Sequence, residues 1–266
     1  MKFIDQIGTV LEFKDTPKRI VSLVPSQTEL LVDLGLEKNI VGITKFCIHP
    51  SNLKEGKTIV GGTKNINIDK IKALKPDIIL CNKEENTKEI VDICKNIAIT
   101  HVSDIYTIKD VFEIVNQYGN IFNCNAKSLE LENNLKEKLN NFHQFIKDKQ
   151  TIRVAYFIWK NPWIVAANTT FINHLLQLNN FVNVYSNKER YPEVDILKLK
   201  NLDAILLSSE PFPFKEIHIK ELEVNFPKTK ILLVDGEMFS WYGSRLLKAF
   251  DYFKELQKLL VTSAFI

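Results

Sequence analysis

The chain has 266 residues, a length that suits one large domain or two domains of modest size. Apolar residues make up 45% and charged residues 25%, a balance that is typical of globular proteins and excludes a disordered chain. Lysine and arginine number 35 against 32 acidic residues, for a net charge of +3. So small an excess argues against the strongly basic surface of a nucleic-acid-binding protein, and we expect no nucleic-acid partner.

The cysteines and the N-terminus bear on the cellular compartment. Four cysteines are irregularly spaced without a CxxC pair, a pattern that favours free thiols. The first residues, MKFIDQIGTV, lack the charged-then-apolar pattern of a secretory signal. No uninterrupted apolar run reaches the length of about 18 residues that predicts a membrane span. The sequence as it stands therefore predicts a cytoplasmic protein, or a periplasmic or cell-surface protein if an export signal has been trimmed off.

Short apolar runs alternate with amphipathic stretches in the first half of the chain. This alternation is typical of βα units and of a largely parallel sheet. The apolar runs are rich in β-branched residues, which favours strands over helices. The predicted strands are residues 19–24, 40–45, 77–82 and 98–103, and the predicted helices are residues 28–36, 68–75, 87–96 and 108–122.

Residues 125–149 interrupt this rhythm. Five apolar residues recur at spacings of three and four among Glu, Lys and Asn: Leu131, Leu135, Leu139, Phe142 and Ile146. The spacing predicts one long amphipathic helix with a single apolar stripe. We expect this helix to be stiff, because it contains neither Gly nor Pro.

The βα rhythm restarts after the long helix. The predicted strands are residues 153–159, 163–167, 204–209 and 230–235, and the predicted helices are residues 170–178 and 244–260. We therefore predict an α/β fold of two Rossmann-like lobes, each a mostly parallel sheet flanked by helices. The predicted lobes are residues 1–124 and 150–266, joined by one backbone helix over residues 125–149.

The two halves also resemble each other. Residues 68–85, IDKIKALKPDIILCNKEE, align without gaps on residues 194–211, VDILKLKNLDAILLSSEP. Six aligned positions are identical: Asp69/Asp195, Lys72/Lys198, Asp77/Asp203, Ile79/Ile205, Leu80/Leu206 and Glu84/Glu210. Each block contains an acidic residue, then a predicted helix and a predicted strand, and then a glutamate just past the end of the strand. Chance similarity between two βα units is the alternative, but the matching element order favours an internal repeat.

Ligands of parallel α/β sheets bind outside the carboxyl ends of the strands, so the loops at those ends form the candidate site. In the first half these segments contribute Ser26, Gln27, Lys45, Lys83, Glu84, Glu85 and Asp104. In the second half they contribute Trp159, Trp163, Tyr191, Glu210, Glu237, Trp241, Tyr242 and Arg245. The aromatic rings suit a flat or apolar ligand. Arg245 suits either a ligand carboxylate or phosphate, or an ordinary structural ion pair.

The sequence lacks the motifs of common enzyme classes: a Walker loop, GxGxxG, GxSxG and HExxH. This favours a binding protein over an enzyme. Gly61-Gly62-Thr63 indicates a turn, because no Lys-Ser/Thr pair follows it to bind phosphate. Cys47 and His49 have three interpretations: metal ligands that need a third ligand from elsewhere, a nucleophile pair, or a half-buried cysteine beside a surface histidine.

Three segments, taken in chain order, resemble those of a known family: KRIVSLVPSQTELLVDLGL (residues 18–36), IVGIT (residues 40–44) and NINIDKIKALKPDIIL (residues 65–80). They resemble the solute-binding proteins with a single helical backbone, or class III. These are the receptors that deliver vitamin B12, haem and iron–siderophore complexes to ABC importers. The likeness covers about residues 18–260 and is strongest to the cobalamin-binding member.

The resemblance implies two α/β lobes joined by the long helix, with the ligand held between them and a limited hinge. It implies an ABC permease as partner and no required cofactor, the bound chelate being a corrinoid, haem or iron–siderophore. Receptors of this class are usually monomers, so we expect a monomer. The acidic residues that dock onto the permease match Asp69 and Asp195, which also suit helix N-caps.

Two other functions stay open at this point. A cytoplasmic relative of these receptors would bind or sense a metal ion or cofactor inside the cell, with Cys47 and His49 as metal ligands. A small-molecule enzyme would use the same two residues for catalysis. The charged loop residues Lys83, Glu84 and Glu85 also differ from what we expect of a B12 receptor.

Overall fold

The computed structural model describes residues 1–261, which form two compact units. Unit 1 comprises Met1–Lys136 and Tyr242–Arg245, and unit 2 comprises Glu137–Trp241 and the chain from Leu246 onward. Residues 262–266, the end of the second predicted lobe, lie outside the described residues. The division therefore falls inside the predicted long helix, and a short segment near the C-terminus belongs to unit 1.

Unit 1 is a parallel α/β sheet with a small N-terminal hairpin. Its strands are β1 (Lys2–Ile4), β2 (Val10–Glu12), β3 (Ile20–Ser22), β4 (Ile40–Ile43), β5 (Thr58–Ile59), β6 (Ile78–Asn82) and β7 (Ile99–Ser103). Its helices are α1 (Pro25–Asp33), α2 (Ile68–Ala73), α3 (Lys88–Lys95) and α4 (Ile108–Ile121), followed by α5 (Asn125–Ile146), which continues into unit 2. β1 and β2 pair with each other, whereas β5, β4, β3, β6 and β7 form one parallel sheet in that order.

Unit 2 repeats this architecture. Its strands are β8 (Ile152–Trp159), β9 (Ile164–Val165), β10 (Phe181–Asn183), β11 (Ala204–Ser208) and β12 (Lys230–Val234). Its helices are α6 (Phe171–Leu178), α7 (Glu216–Glu223), α8 (Gly236–Ser240) and α9 (Leu246–Val261). β10, β8, β11 and β12 are parallel in that order, and β9 pairs antiparallel to β8.

The strand order confirms the internal repeat. In unit 1 the first strand of the sheet, β3, lies between β4 and β6, with β7 beyond β6; in unit 2 the first strand, β8, lies between β10 and β11, with β12 beyond β11. The two repeat blocks supply β6 and β11, the central strands next to β3 and β8. All five residues of each are buried, which explains why both read as continuous apolar runs.

The repeated aspartates hold equivalent positions before these central strands. Asp77 Oδ2 accepts a hydrogen bond from the backbone N–H of Arg19 over 2.9 Å, and Asp203 Oδ2 accepts one from the backbone N–H of Arg153 over 2.7 Å. The Nε of Arg19 in turn donates to the carbonyl of Leu74, and the Nε of Arg153 donates to a carbonyl ahead of β11. Each aspartate thus fixes the register at the start of two neighbouring strands.

The other pair of repeated aspartates differs between the units. Asp195 is the N-cap of a short 3-10 helix and accepts a hydrogen bond from the N–H of Leu197, so its capping role is confirmed. Asp69 is not a cap, because Asn67 accepts the hydrogen bond from Lys70 N and α2 begins one residue before Asp69. Asp69 lies in the exposed first turn of α2, where its charge suits the helix dipole.

The predicted long helix is α5. Leu131 and Leu135 of its stripe are buried in the part that belongs to unit 1. In the part that belongs to unit 2, Phe142 is fully buried and its ring centroid lies 5.6 Å from that of Phe250 in α9. Within residues 1–261, none of the helices combines the length and apolar character that crossing a bilayer demands.

Candidate functional site

A pocket of about 540 Å³ opens at the carboxyl end of the unit 1 sheet. Lys45 and Phe46, which follow β4, and residues 61–67, which follow β5, line it. The volume falls within the range of about 300–1,000 Å³ that is usual for small-molecule sites. The pocket therefore lies where the sheet topology predicts a ligand, and it includes the predicted site residue Lys45.

Two glycines give this pocket its shape. Gly61 has φ +123°, and a Cβ added to it would lie 2.4 Å from the carbonyl oxygen of Asn65. The backbone here forms a tight turn, in which the N–H of Gly62 donates to the same oxygen over 2.7 Å. A Cβ on Gly62 would lie 3.1 Å from Cε2 of Phe46. The predicted turn at residues 61–63 is confirmed, and it brings backbone against the Phe46 ring.

The charged loop after β6 is organised by Asn82. Asn82 Oδ1 accepts hydrogen bonds from the backbone N–H groups of Glu84 and Glu85 over 2.9 and 3.0 Å. Lys83 Nζ lies 2.6 Å from Asp104 Oδ2, and this hydrogen bond raises the pKa of Lys83. The sequence-predicted residues Lys83 and Asp104 thus neutralise each other, on the strand-end loops of β6 and β7.

Gln27 and Tyr242 lie in the interior of unit 1, Gln27 in α1 and Tyr242 in the loop after α8. α1 begins at Pro25, whose fixed φ suits the first helical position, so Ser26 and Gln27 belong to the first turn. Gln27 Nε2 donates to Tyr242 Oη over 2.8 Å and to Ser103 Oγ over 2.6 Å. Gln27 has no exposed surface, and Ser26 and Tyr242 are also buried. Burial raises the pKa of Tyr242 well above its usual range.

Arg245 is also part of the interior of unit 1. Its Nε donates to Glu29 Oε2 over 2.8 Å, and both side chains are buried. The structure therefore favours the second of the two interpretations, a structural ion pair. Ser26, Tyr242 and Arg245 keep only 4–5% of their surface exposed and Gln27 keeps none, so these four predicted site residues lie in the interior.

Cys47 and His49 lie on the loop after β4, where His49 is half-buried. Cys47 is fully buried, and its Sγ lies 3.1 Å from Thr28 Oγ1 and 3.3 Å from Thr44 Oγ1. Burial raises the pKa of its thiol, which disfavours the thiolate that both metal ligation and nucleophilic attack need. In residues 1–261, no group of three or more His, Cys, Asp or Glu side chains is placed to hold a metal ion. All four cysteines are free, as the spacing predicts.

Unit 2 presents an aromatic cluster at the carboxyl ends of β8 and β11. The ring of Trp159, 39% exposed, contacts Phe212 edge to face with centroids 5.6 Å apart. Trp163 stacks on Phe214 at 6.0 Å and an interplanar angle of 10°. Lys160 Nζ lies 5.4 Å from the centroid of Trp163. We use the name aromatic cluster for Trp159, Trp163, Phe212 and Phe214.

Glu210 follows β11 and is held by α8 and the residue after it. Its Oε1 accepts hydrogen bonds from Ser240 Oγ over 2.7 Å and from Trp241 Nε1 over 3.1 Å. Burial raises the pKa of Glu210, and repulsion from Glu237 raises it further. Trp241 is buried and serves to position Glu210. The last predicted residue, Tyr191, is half-buried, with the Arg190 guanidinium 5.8 Å from its ring centroid.

Two residues of the site were not selected from the sequence. Phe46 is 48% exposed on the loop after β4, and Lys64 lines the same pocket from the turn after β5. An exposed phenylalanine in a strand-end loop was the available signal for the first. Lys64 carries no local signal, because the turn that brings it to Lys45 depends on the conformation of Gly61.

Comparisons with known proteins match this architecture. Residues 20–212 match the family model described as periplasmic binding protein. An uncharacterised ABC transporter substrate-binding lipoprotein of Bacillus subtilis is 26% identical over 257 residues, covering 91% of this chain and 80% of the relative. A vitamin B12-binding protein of Pectobacterium carotovorum is 22% identical over 241 residues, covering 88% of this chain and 86% of the relative.

Solved structures share the fold. The periplasmic vitamin B12-binding protein of Vibrio cholerae superposes with a TM-score of 0.80 at 20% identity, covering 92% of this chain and 98% of that one. A periplasmic haem-binding protein of Roseiflexus superposes with a TM-score of 0.79 at 13% identity, again covering 92% and 98%. At these identities the likeness shows the fold, which agrees with the predicted α/β class.

Proposed function

Because the chain belongs to the periplasmic binding protein family, we propose that it captures a metal chelate and delivers it to an ABC permease. Its role is that of a substrate-binding protein of an ABC import system, as the name of the Bacillus relative also indicates. The finer statement concerns the cargo: a corrinoid, haem or iron–siderophore complex. The relatives and neighbours whose names state a cargo include vitamin B12-binding and haem-binding proteins.

The aromatic cluster of unit 2 is the observation that carries this proposal. Corrins and porphyrins present broad, flat, largely apolar faces, and aromatic rings bind such faces by stacking and by burial of apolar area. Trp159 keeps 39% of its surface exposed at the strand end although it packs against Phe212. A large exposed indole in this position suits a ligand that covers it.

The pocket of unit 1 supports the same function. It lies at the carboxyl end of a parallel sheet, the position at which this class of fold binds ligands. Phe46, 48% exposed, gives it an apolar wall, and Lys45 and Lys64 give it polar groups. We propose Lys45, Phe46, Trp159 and Trp163 as ligand contacts, with Lys83, Glu84, Glu85, Asp104, Tyr191, Glu210 and Glu237 as further candidates on the strand-end loops.

We propose binding without catalysis and without a resident cofactor. The two alternatives from the sequence both relied on Cys47 and His49, and the burial of Cys47 disfavours each of them. A directly captured metal ion would need a third ligand, and residues 1–261 supply no such group. We propose that the metal arrives already chelated and that the protein binds the chelate.

We also propose that Asp69 and Asp195 contact the permease, and that the protein works outside the cytoplasmic membrane as a monomer. Both side chains are exposed, and they occupy equivalent positions in the two repeat blocks. Asp195 also accepts its capping hydrogen bond from the N–H of Leu197. A carboxylate has enough acceptor sites for this bond and for a contact with the permease. The expected cytoplasmic location finds no support among relatives described as periplasmic proteins and a lipoprotein.

Titration of the full chain tests the proposed function. The probes are cyanocobalamin, haemin and ferrichrome, and the readout is quenching of tryptophan fluorescence with calorimetry as a check. We expect saturable one-to-one binding of one of them with a Kd of about 1 µM or lower. Failure of all three to bind would contradict the proposal.

A further inference from the structure

We propose that the unit 1 pocket binds an acidic group of the ligand, so that the cargo is an anionic chelate. This inference rests on the proposed function, and it specifies the chemical class of the substrate. Three observations carry it: the charges that line the pocket, the absence of compensating carboxylates, and the apolar ring beside the charges.

The charged side chains that line the pocket are both cationic. They are Lys45 from the loop after β4 and Lys64 from the turn after β5, and the other lining residues are uncharged. Both lysines are exposed, so each ammonium group is accessible to a ligand. A concave surface lined by charge of one sign concentrates ligands of the opposite sign.

Within residues 1–261, no carboxylate lies within ion-pair distance of Lys45 or Lys64, whereas Lys83 is paired with Asp104. Lys64 Nζ donates to the backbone carbonyl of Glu84 over 2.6 Å, which orients the side chain but leaves its charge uncompensated. The ammonium group keeps two further N–H donors for a ligand.

The surroundings of Lys45 fit an acid attached to an apolar body. Its Nζ lies 5.0 Å from the ring centroid of Phe46, and a Cβ on Gly62 would lie 3.6 Å from its Cε. The bare backbone of Gly62 and the exposed Phe46 ring form one wall, with the cationic groups beside it. A chelate that carries a carboxylate, catecholate or phosphate on its rim would place the acid on the lysines and its apolar part on Phe46.

The test compares two lysine variants of the full chain with the wild type. The double variant Lys45→Ala/Lys64→Ala removes both cations from the pocket. Lys57→Ala is the matched control, because Lys57 Nζ also donates to a backbone carbonyl over 2.6 Å, that of Glu37, but Lys57 does not line the pocket. Circular dichroism verifies that all variants fold, as expected because none of the three lysines is buried.

Two kinds of probe separate this inference from the proposed function. The first is 1,3,6,8-pyrenetetrasulfonate, a flat tetra-anion that contains no metal, whose dependence on Lys45 and Lys64 reports the charge of the pocket. The second is haemin, which carries two carboxylates, compared with ferrichrome, an uncharged chelate. We expect the double variant to lose at least tenfold in affinity for the tetrasulfonate and for haemin, and the control to stay within twofold. Added salt weakens wild-type binding more than that of the double variant.

The outcomes are distinct. If wild type and the double variant bind the tetrasulfonate equally well, or bind haemin equally well, the anionic class of ligand is overturned. The proposed function still stands in that case, provided that a chelate binds. If no chelate binds but the tetrasulfonate depends on the lysines, the proposed function fails and the anion preference of the pocket is supported.

Discussion

Arg245 donates a hydrogen bond from Nε to Oε2 of Glu29 across 216 residues of sequence, and both side chains are buried. The pair joins the segment Tyr242–Arg245 to α1 within unit 1. Breaking a buried ion pair leaves one charge desolvated and unpaired, which is more costly than the pair is stabilising. The pair therefore holds the segment Tyr242–Arg245 against α1 in unit 1.

We predict that Arg245→Ala lowers the free energy of unfolding by about 3–5 kcal/mol, because it leaves the Glu29 carboxylate buried without its cation. Lys2→Ala is the control: Lys2 Nζ lies 2.8 Å from Glu12 Oε1, the same distance, but that pair is exposed. We expect the control to change stability by at most about 1 kcal/mol. Urea unfolding of both variants measures the difference, and equal losses would contradict a structural role for Arg245.

The hydrogen bonds of Tyr242 give a second prediction. Tyr242→Phe removes the hydroxyl that contacts Gln27 Nε2 and Ser103 Oγ, and leaves buried polar atoms short of a partner. We expect a loss of about 1–3 kcal/mol in the free energy of unfolding. In Tyr185→Phe, which affects a half-buried tyrosine, the loss should stay below about 0.5 kcal/mol. A Tyr242→Phe protein as stable as wild type would show that the hydrogen bonds of the Tyr242 hydroxyl with Gln27 and Ser103 do not stabilise the fold.

Gly61 is required by the shape of the pocket. Gly61→Ala places a methyl group against the carbonyl of Asn65 at a φ that side chains rarely adopt, and we expect a cost of about 1–3 kcal/mol together with weaker chelate binding. Gly56→Ala is the matched control, since nothing lies within 4 Å of a Cβ added there and its φ is ordinary. Thermal unfolding and titration of both variants check this prediction; unchanged binding by Gly61→Ala would contradict the placement of the ligand.

The raised pKa of Glu210 predicts a pH dependence of stability. The unfolded carboxyl ionises near its ordinary value of 4.5, whereas burial keeps the folded carboxyl protonated to higher pH. The folded state then binds more protons in this window, so this contribution to stability is complete below pH 4.5 and is lost as pH rises through the folded pKa. Glu210→Gln retains an acceptor for Ser240 and Trp241 but has no proton to lose.

The comparison is therefore the free energy of unfolding of wild type and of Glu210→Gln from pH 4 upward, at constant ionic strength. We expect the wild type to lose stability relative to the variant as pH rises through that window. A difference in free energy of unfolding that stays constant with pH would show that burial does not raise the pKa of Glu210.

The aromatic cluster supplies the last prediction. Trp159→Ala removes an exposed indole that we propose stacks on the ligand, and we expect at least a fivefold loss in chelate affinity, corresponding to about 1 kcal/mol. Leu129→Ala serves as the control, because Leu129 is an exposed apolar residue, 57% accessible, on α5. Calorimetric titration of both variants measures the difference in affinity. An unaltered Kd for Trp159→Ala would contradict the proposed contact between the indole and the ligand.

Local pattern and periodicity predicted most of the fold. The apolar runs that became β3, β4, β6, β7, β8, β11 and β12 contain β-branched residues and, except in β12, are mostly buried; the stripe from Leu131 to Ile146 predicted α5. The elements that escaped prediction, such as β1, β2, β5 and β10, have two or three residues each. Runs that short carry too little periodicity to be recognised, and their strand character comes from pairing with neighbours.

The site was less predictable for a physical reason that Gln27 and Arg245 illustrate. Both are polar residues near a strand end or helix start, which is also where ligand contacts occur. Their partners lie 215 and 216 residues away in sequence, at Tyr242 and Glu29, so local pattern does not distinguish a buried structural pair from a ligand contact. The exposed Trp159 and the pocket residue Lys45 match their predicted positions because strand-end geometry alone places them.

Native mass spectrometry with metal analysis, on protein purified from its own organism, tests the central claim most directly. The proposed function predicts a complex whose excess mass equals one corrinoid, haem or iron chelate and whose metal content is one cobalt or iron per chain. Protein that carries a bare metal ion, or that carries nothing and stays unchanged when the three chelates are added, would contradict it.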